Sequence, residues 1–422
     1  MTTPKFKPLL LAALIGLSFS AHADSTTDAL IQRLDALQKE VEGLKKQLSD
    51  EKSARQEQVA AVESKVQTAS SEASATTIGG YGEAVYNNYR NGSVKDEADL
   101  KRFVLFFGHR FNDKLRLYSE LEVEHALVEG DQGELALEQA YIEYNLHPNA
   151  NLRAGLMLMP LGILNETHEP ATFYGVERNE VERRIIPSTW RELGLAVQGN
   201  VLDGLEYNVG ISTSLDATRY SNPSSGVRGL RSSGAQAAAN DLALFAAVNY
   251  RQPGWLLGAS LFTGNTAQDG IGANTRSALQ GKDARLTLWD VHGKYSIGDL
   301  ELQALYARGT LSDTLAINQA SSIGTGSGNA APQSFWGGYG QAAYPVWKNG
   351  EMRLTPFVRY ERYDTQASVD SGYSKNPLNN ERVITAGANF NLSREVVFKA
   401  DWQNYREDNR KDRFNLGVGY QF

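Results

Sequence analysis

The chain carries two successive hydrophobic periods. From Leu30 the apolar positions recur in alternating steps of four and three residues, which is the heptad pattern of a coiled-coil seam. After Ile78 the apolar positions recur at every second residue instead, as in strands with one apolar and one polar face. The pattern therefore predicts an α-helical coiled-coil segment followed by an all-β domain.

The predicted coiled coil has a narrow apolar seam with Lys, Glu and Gln on both sides. With Leu34 at a heptad a position, Glu40 falls at g and can reach Lys45 at e of a neighbouring helix. Such a narrow seam is hard to stabilise without a partner, so we predict that residues 24–70 self-associate; the alternative is a single solvated helix. The seam residues are Leu30, Leu34, Leu37, Val41, Leu44 and Leu48.

The start of the chain has the features of a secretory signal. Lys5 and Lys7 precede an apolar run over residues 9–19, and an Ala-His-Ala cleavage motif occupies residues 21–23. We expect residues 1–23 to be a signal peptide and residues 24–77 to form the coiled coil and a Ser-, Ala- and Thr-rich linker. The apolar run is shorter than the roughly 20 residues that a membrane-spanning helix needs.

The β region predicts a membrane barrel rather than a soluble sandwich, because its connections alternate in length. Short turns, as at residues 112–113 and 203–204, alternate with longer polar segments, as at 216–240 and 364–380. About 16 strands of roughly 9 to 13 residues fit between them, as in outer-membrane barrels. The predicted fold is therefore all-β, an antiparallel transmembrane β-barrel of about 16 strands over residues 78–422, surrounded by bacterial outer-membrane lipid.

A barrel of this size encloses water, so the architecture implies a pore. An even number of strands places both barrel ends on the side of the short turns, the periplasm, together with the N-terminal segment. The candidate lumen-lining residues are Arg102, Arg110, Arg116, Glu120, Glu122, Glu124, Glu143, Arg353 and Arg359.

Residues 160–190 are denser in charge than the other long segments and also contain interleaved apolar residues. We predict that this segment folds into the barrel and narrows the pore, where charged side chains act strongly on a permeating ion; the alternative is an external loop with surface ion pairs. Arginines are expected to attract anions, with Glu166, Glu169 and Glu182 on the opposite wall. The candidate constriction residues are Glu166, His168, Glu169, Arg178, Glu182, Arg183, Arg184 and Arg191.

Composition argues against several other functions. The chain has no cysteine and a formal charge of −7, which excludes disulfides and thiolate metal sites and disfavours general nucleic-acid binding. His168 beside Glu166 and Glu169 lacks a clear ligand set, so no metal site or other cofactor is predicted. No Ser–His pairing stands out, and we expect no enzyme.

Several motifs resemble bacterial outer-membrane porins related to the phosphate-selective porins O and P. The strongest match lies within residues 134–194, and the terminal Phe422 resembles the C-terminal aromatic read by barrel-assembly machinery. The resemblance implies a trimer of 16-stranded barrels, with a periplasmic coiled coil in some members. The motifs are Leu137-Glu-Gln-Ala-Tyr-Ile-Glu-Tyr144, Asn151-Leu-Arg-Ala-Gly155, Asn165-Glu-Thr-His-Glu-Pro170, Gly175-Val-Glu-Arg-Asn179 and Ile185-Ile-Pro-Ser-Thr-Trp-Arg-Glu-Leu-Gly194.

The sequence thus predicts a homo-oligomeric porin, a passive channel for small hydrophilic solutes. Phosphate-selective relatives line their pores with arginine rows and a lysine cluster, whereas the lumen face here mixes both signs. Phosphate, carboxylates, sugars and amino acids therefore all stay open as solutes. The alternative function is a structural anchor, in which the coiled-coil stalk contacts the cell wall.

Overall fold

A computed structural model describes residues 75–92, 94–129, 133–270 and 277–422. Ala75–Phe422 forms one compact unit. The predicted signal peptide, the coiled-coil seam and the remainder of residues 24–74 lie outside the described residues.

The described chain is built mainly of long strands, as the period of two predicts. The strands are β1 (Thr76–Tyr89), β2 (Glu97–Arg110), β3 (Leu115–Glu124), β4 (Glu134–His147), β5 (Ala150–Leu158), β6 (Arg191–Leu202), β7 (Leu205–Thr213), β8 (Leu242–Gln252), β9 (Trp255–Gly264), β10 (Leu286–Ile297), β11 (Leu300–Leu311), β12 (Ser334–Ala343), β13 (Trp347–Asn349), β14 (Met352–Ser368), β15 (Asn380–Asn391), β16 (Val396–Tyr405) and β17 (Arg413–Gln421).

Within the described part of the chain, helical structure is confined to the long connections. Two short α-helices, α1 (Val181–Arg184) and α2 (Thr314–Ala320), lie between β5 and β6 and between β11 and β12. Among the described residues, no helix is both long enough and apolar enough to cross a membrane. Single 3-10 turns occupy Pro170–Thr172, Ala217–Arg219, Arg228–Leu230, Gln268–Gly270, Ser277–Leu279, Pro377–Asn379 and Asn409–Lys411.

The sheet closes on itself. β1 pairs antiparallel with β2 and also with β17, where Tyr81 lies opposite Gln421. β12 and the short β13 both pair with β14, at Ala343↔Phe357 and Trp347↔Leu354, so together they make one strand position of the wall. The predicted closed antiparallel 16-stranded barrel is confirmed.

The wall is apolar outside and polar inside. In β15, Ile384 is 49% exposed, whereas its neighbour Thr385 and the next polar residue on the same face, Asn389, are buried. Exposed apolar side chains at alternate positions are what a lipid-facing strand requires. The outward apolar band includes Leu195, Leu244, Val291, Val358, Ile384, Phe398 and Leu416.

The connections sort by length between the two ends of the barrel, as the sequence predicts. Tight turns follow β2, β4, β6, β8, β10, β13 and β15, and the start of β1 and the end of β17 lie at this same end. One predicted loop is shorter than expected: residues 364–368 belong to β14, because Ser368 pairs with Ser334 of β12 and extends the ladder.

Candidate functional site

Residues 160–190, here called the inner loop, lie inside the barrel. Their backbone amides donate to carboxylates on distant strands: Gly162 to Asp290 of β10 (3.0 Å) and Val181 to Glu361 of β14 (3.1 Å). A loop that starts at β5 and ends at β6 can reach both β10 and β14 only if it crosses the interior of the barrel. The loop begins after β5 and ends where β6 starts.

One side chain closes the base of the inner loop. The side-chain nitrogen of Asn165, Nδ2, donates to the backbone carbonyls of Met159 (2.7 Å) and Trp190 (2.9 Å). Its side-chain oxygen, Oδ1, accepts from the backbone amide of Trp190 (2.8 Å). Asn165 is 1% exposed. Three hydrogen bonds from one buried side chain therefore join the two ends of the loop.

Apolar residues of the loop pack against the wall at β9 and at β12. Trp190 is fully buried, and its ring centroid lies 4.5 Å from that of Phe262. Ile185 and Ile186 are also buried, and a Cβ at Gly337 of β12 would lie 2.9 Å from Ile185 Cγ1. Glycine at this position therefore allows α1 to approach the wall closely.

The tip of the loop binds polar groups on the opposite wall. The Phe173 carbonyl accepts from Lys399 Nζ (3.0 Å) and from Asn389 Nδ2 (3.1 Å). The next carbonyl, of Tyr174, accepts from Arg359 Nη1 (3.1 Å), and Arg359 Nε also pairs with Glu361 (3.0 Å). The predicted lumen residue Arg359 therefore holds the inner loop.

Two of the predicted constriction arginines share one carboxylate. Arg183 Nη1 lies 2.8 Å from Glu180, and Arg184 Nε also bonds to it. Burial raises the pKa of Glu180, but the positive charges of Arg184 and Arg183 outweigh burial and hold this pKa well below its usual value. Their combined charge is thus partly neutralised.

Glu182 was predicted to line the opposite wall of the constriction, but in the structure it does not. It is 1% exposed, and its carboxylate accepts from the amides of Ile163 (3.1 Å) and Leu164 (2.8 Å) and from the Tyr339 hydroxyl (3.2 Å). The reason is local: α1 turns this side chain back onto the start of the loop. Glu182 therefore stabilises the loop rather than facing solutes.

The other predicted constriction residues differ in exposure. Glu166 is exposed, and Glu169 is half-buried. Arg178 is buried and donates to the His168 carbonyl (3.1 Å), and Arg191 is buried and donates to the Thr189 carbonyl (3.4 Å). Within the described residues, neither arginine has a carboxylate within ion-pair distance.

Two further arginines, from the connection between β7 and β8, contact the inner loop and were not among the predicted site residues. Arg228 Nη1 and Arg231 Nη1 both donate to the Ser188 carbonyl of the inner loop, at 2.8 and 3.3 Å. Burial and neighbouring arginines lower the pKa of Arg228 to about 10 and that of Arg231 to about 9. The only sequence signal was a pair of arginines three residues apart in a Gly- and Ser-rich connection.

A cavity of about 320 Å³ lies between the inner loop, the wall at β1–β3 and the β7–β8 connection. Six basic and three acidic side chains line it, so its lining is formally cationic. The basic residues are Lys101, Arg102, Arg178, Arg183, Arg184 and Arg228, and the acidic ones are Glu83, Glu124 and Glu177.

Most of the predicted lumen residues lie in ion pairs along the wall. Arg102 Nε lies 2.8 Å from Glu83 and its Nη1 3.1 Å from Glu122; Glu143 pairs with Arg153 (2.9 Å). Arg353 lies 4.0 Å from Glu301 of β11, near the short-turn end. Arg110 and Arg116 lie opposite each other in the β2–β3 ladder, at that same end.

His168 does not meet its sequence neighbours Glu166 and Glu169. Its Nε2 instead lies 3.2 Å from Glu138 of β4 and 3.6 Å from Glu120 of β3. Burial lowers the pKa of His168, but these carboxylates raise it to about 9. The predicted lumen residue Glu120 therefore belongs to a buried cluster.

Ser260, Asp290 and His292 lie together on the inner wall but do not form a nucleophile–base pair. The Ser260 hydroxyl donates to Asp290, and His292 Nδ1 lies 2.6 Å from the same carboxylate. His292 Nε2 lies 3.0 Å from the Asn249 side-chain carbonyl. A hydrolase would need the serine against the imidazole, and here the carboxylate lies between them.

Comparison with known sequences gives a family match over most of the chain. The model of the family described as phosphate-selective porin O and P matches residues 79–415. An uncharacterised protein of Aquifex aeolicus (strain VF5) is 34% identical over 361 residues, which cover 82% of this chain and 80% of that protein.

Solved structures with a similar fold include several outer-membrane proteins. Salmonella typhi OmpF, in complex with daunomycin, superimposes with a TM-score of 0.56 at 14% identity, covering 82% of this chain and 97% of the other. The anion-selective porin from Comamonas acidovorans gives 0.52 at 12% identity, with 82% and 99% covered. The outer-membrane channel DcaP of Acinetobacter baumannii gives 0.51 at 15% identity, with 82% and 97% covered.

Proposed function

This chain belongs to the phosphate-selective porin O and P family and forms an outer-membrane channel, and we propose that it passes small hydrophilic anions, phosphate among them. The proposed route runs through the cationic cavity beside the inner loop. The inner loop acts as the constriction and excludes large solutes, and diffusion down a gradient needs neither chemistry nor a cofactor.

The observation that carries this proposal is the excess of basic side chains around the cavity. Six basic against three acidic residues line it, and Arg228 has no carboxylate within ion-pair distance among the described residues. Charges near low-dielectric walls act more strongly than charges in bulk water. An anion entering the cavity therefore supplies negative charge that balances the excess positive charge of its lining.

Arg228 gives the sharpest test of anion selectivity. In planar bilayers under a KCl gradient, we expect the wild-type reversal potential to show anion selectivity and phosphate to block the chloride current. Arg228→Gln should weaken phosphate block about fivefold, which corresponds to a loss of about 1 kcal/mol of attraction. Arg228→Glu should shift the reversal potential further, toward cations.

Arg219→Gln is the matched control. Arg219 lies in the same β7–β8 connection, its side chain is 46% exposed, and it pairs with Asp216 rather than lining the cavity. Its substitution should leave the reversal potential unchanged. Unchanged selectivity in correctly folded Arg228→Glu would show that this cavity is outside the ion path.

The oligomeric state and orientation form a further part of the proposal. The heptad seam favours self-association, and we propose a homotrimer, as the family resemblance implies. Since β1 starts at the end of the barrel that carries the tight turns, we place the preceding segment in the periplasm.

A structural anchor is the alternative function, and it depends on the heptad pattern of residues 30–48. In that case the barrel would hold a stalk that contacts the cell wall. The same bilayer experiment distinguishes the two functions, because a pure anchor would show no conductance when correctly folded.

A further inference from the structure

Three buried side chains from three separate elements converge at the side of the inner loop. His168 comes from the loop, Glu120 from β3 and Glu138 from β4, and they are 3%, 2% and 0% exposed. One ligand atom from each, an imidazole nitrogen and two carboxylate oxygens, lies within 4.8 Å of the others. Residues separated along the chain thus present a mixed nitrogen and oxygen donor set to one point.

The polar atoms at this point are not fully satisfied by the protein. Within the part of the chain that the structure describes, Oε1 of Glu120 and Oε1 of Glu138 are buried and accept no hydrogen bond. The other Glu120 oxygen accepts from Gln139 Nε2 (2.8 Å), which orients that carboxylate. Buried carboxylate oxygens that accept no hydrogen bond are strongly unfavourable, so this cluster favours a cation that contacts both carboxylates directly.

The imidazole is oriented as metal-binding histidines are. His168 Nδ1 lies 3.0 Å from the Asn165 carbonyl, so Nδ1 carries the proton and donates it to that oxygen. Nε2 therefore faces the two carboxylates, and its lone pair becomes available to a metal ion that displaces the Nε2 proton. A backbone carbonyl that fixes the outer nitrogen is the usual second partner of a ligating histidine, and the Tyr81 ring packs edge-on at 6.0 Å.

The surrounding charges leave a deficit of about one divalent cation. Glu83 and Glu122 flank the cluster and bind the single guanidinium of Arg102. Counting Glu120 and Glu138 as well gives four carboxylates, against the guanidinium groups of Arg102 and Arg178. When metal binding displaces the proton from His168 and leaves the imidazole neutral, an added charge of two balances the site.

We propose that His168, Glu120 and Glu138 bind one divalent transition-metal cation, which pins the inner loop to the barrel wall. An imidazole with two carboxylates suits Zn²⁺ and its neighbours in the first transition row, whereas Ca²⁺ and Mg²⁺ prefer oxygen ligands alone. None of the three proposed ligands lines the cavity of the proposed anion route, and the metal site does not depend on the channel being anion-selective.

Metal content of the folded barrel tests the site directly. Purified protein in detergent is stripped with chelator, loaded with Zn²⁺ and dialysed, and the bound metal is measured by mass spectrometry. We expect one Zn²⁺ per chain, and at least tenfold weaker binding in both His168→Gln and Glu138→Gln. His125→Gln is the matched control, because His125 is half exposed, lies in the β3–β4 connection and pairs with Asp99 of β2. This variant should bind Zn²⁺ like the wild type.

A second measurement uses the wild-type protein alone, in case a variant fails to fold. Co²⁺ in a site of nitrogen and oxygen ligands should give visible d–d absorption that one equivalent of Zn²⁺ abolishes and excess Ca²⁺ does not. Two results would overturn the proposal. One is no stoichiometric metal in wild-type protein, which would leave a proton on His168 as the balancing charge; the other is undiminished binding in folded His168→Gln.

Discussion

Two carboxylates of the inner loop, Glu180 and Glu182, are equally buried but differ in their preferred charge. Glu180 binds two guanidinium groups, and its pKa is held low. Among the described residues, Glu182 binds only neutral donors, and burial raises its pKa to about 6 although the Ile163 and Leu164 amides oppose the shift. At the scale of single residues, the partner rather than the burial decides the charge.

Glu182 should make the stability of the inner loop depend on pH. Because its pKa is higher in the folded loop than in the opened one, the folded loop binds the proton more tightly. The free energy of loop opening should therefore be greatest below about pH 4.5 and fall by about 2 kcal/mol as the pH rises past 6. Hydrogen exchange at Ile163 and Leu164, corrected for intrinsic rates, measures this change.

Glu182→Gln removes the titrating group and serves as the reference. Its opening free energy should be independent of pH over the same range. If loop opening in wild-type protein became harder as the pH rose, the amide hydrogen bonds would outweigh burial, and the pKa of Glu182 would be lowered instead.

At the scale of the element, the sequence predicted that the inner loop packs against the barrel wall. It did not predict which residues the loop contacts. Its interleaved apolar residues predicted packing against a wall, and Ile185, Ile186 and Trp190 are indeed buried. The partners Arg228 and Glu138 lie far away in sequence, and only barrel closure and the course of another connection bring them close. The hydrophobic periodicity within one segment carries no information on contacts between residues far apart in sequence.

A strict period of two also does not predict local irregularities in the strands. The alternation places Lys101 and Arg102 on opposite faces, yet both reach inward. The ladder between β1 and β2 shifts register after Glu83, and Lys101 Nζ lies 2.6 Å from Glu177 of the inner loop. A bulge re-aims one side chain, and this sequence gives no clear signal of where it occurs.

The hydrogen bonds at the loop base should determine how firmly the element is held. Asn165→Ala leaves the Trp190 amide and the carbonyls of Met159 and Trp190 without this partner. We expect the free energy of loop opening to fall by about 2–4 kcal/mol, measured by hydrogen exchange of residues 159–190.

Asn222→Ala is a suitable comparison, since Asn222 is exposed and, among the described residues, bonds only to Ser221 and Ser224. It should leave exchange in the inner loop unaltered. Equal exchange in Asn165→Ala and wild type would mean that the apolar packing of Trp190 alone holds the base.

At the scale of the whole molecule, the barrel inverts the usual arrangement of a soluble domain. Its exposed positions carry Leu, Val, Ile and Phe, and its interior carries ion pairs such as Arg102–Glu83. The strand count and the sorting of connections were predictable because each depends on patterns repeated along the whole chain. The lipid band and the polar lumen follow from the same alternation.

Leu195 tests the lipid-facing assignment. It is 48% exposed, lies near the middle of β6 and pairs with Ile211 of β7. Leu195→Arg should lower the free energy of unfolding from lipid vesicles by about 2–4 kcal/mol, as for a charge near the bilayer midplane. Leu195→Met, an apolar change at the same position, should have a much smaller effect; equal stability of the Arg and Met variants would place this face in water.

The pairing of β1 with β17 also determines when the barrel becomes safe from aggregation. Tyr81 and Gln421 are about 340 residues apart along the chain, and contacts of such long range form late during folding. Until this pairing forms, every partial sheet has two open edges that can recruit another chain. The closed barrel has no open strand edge, so the risk of aggregation exists only during folding and ends when β1 pairs with β17.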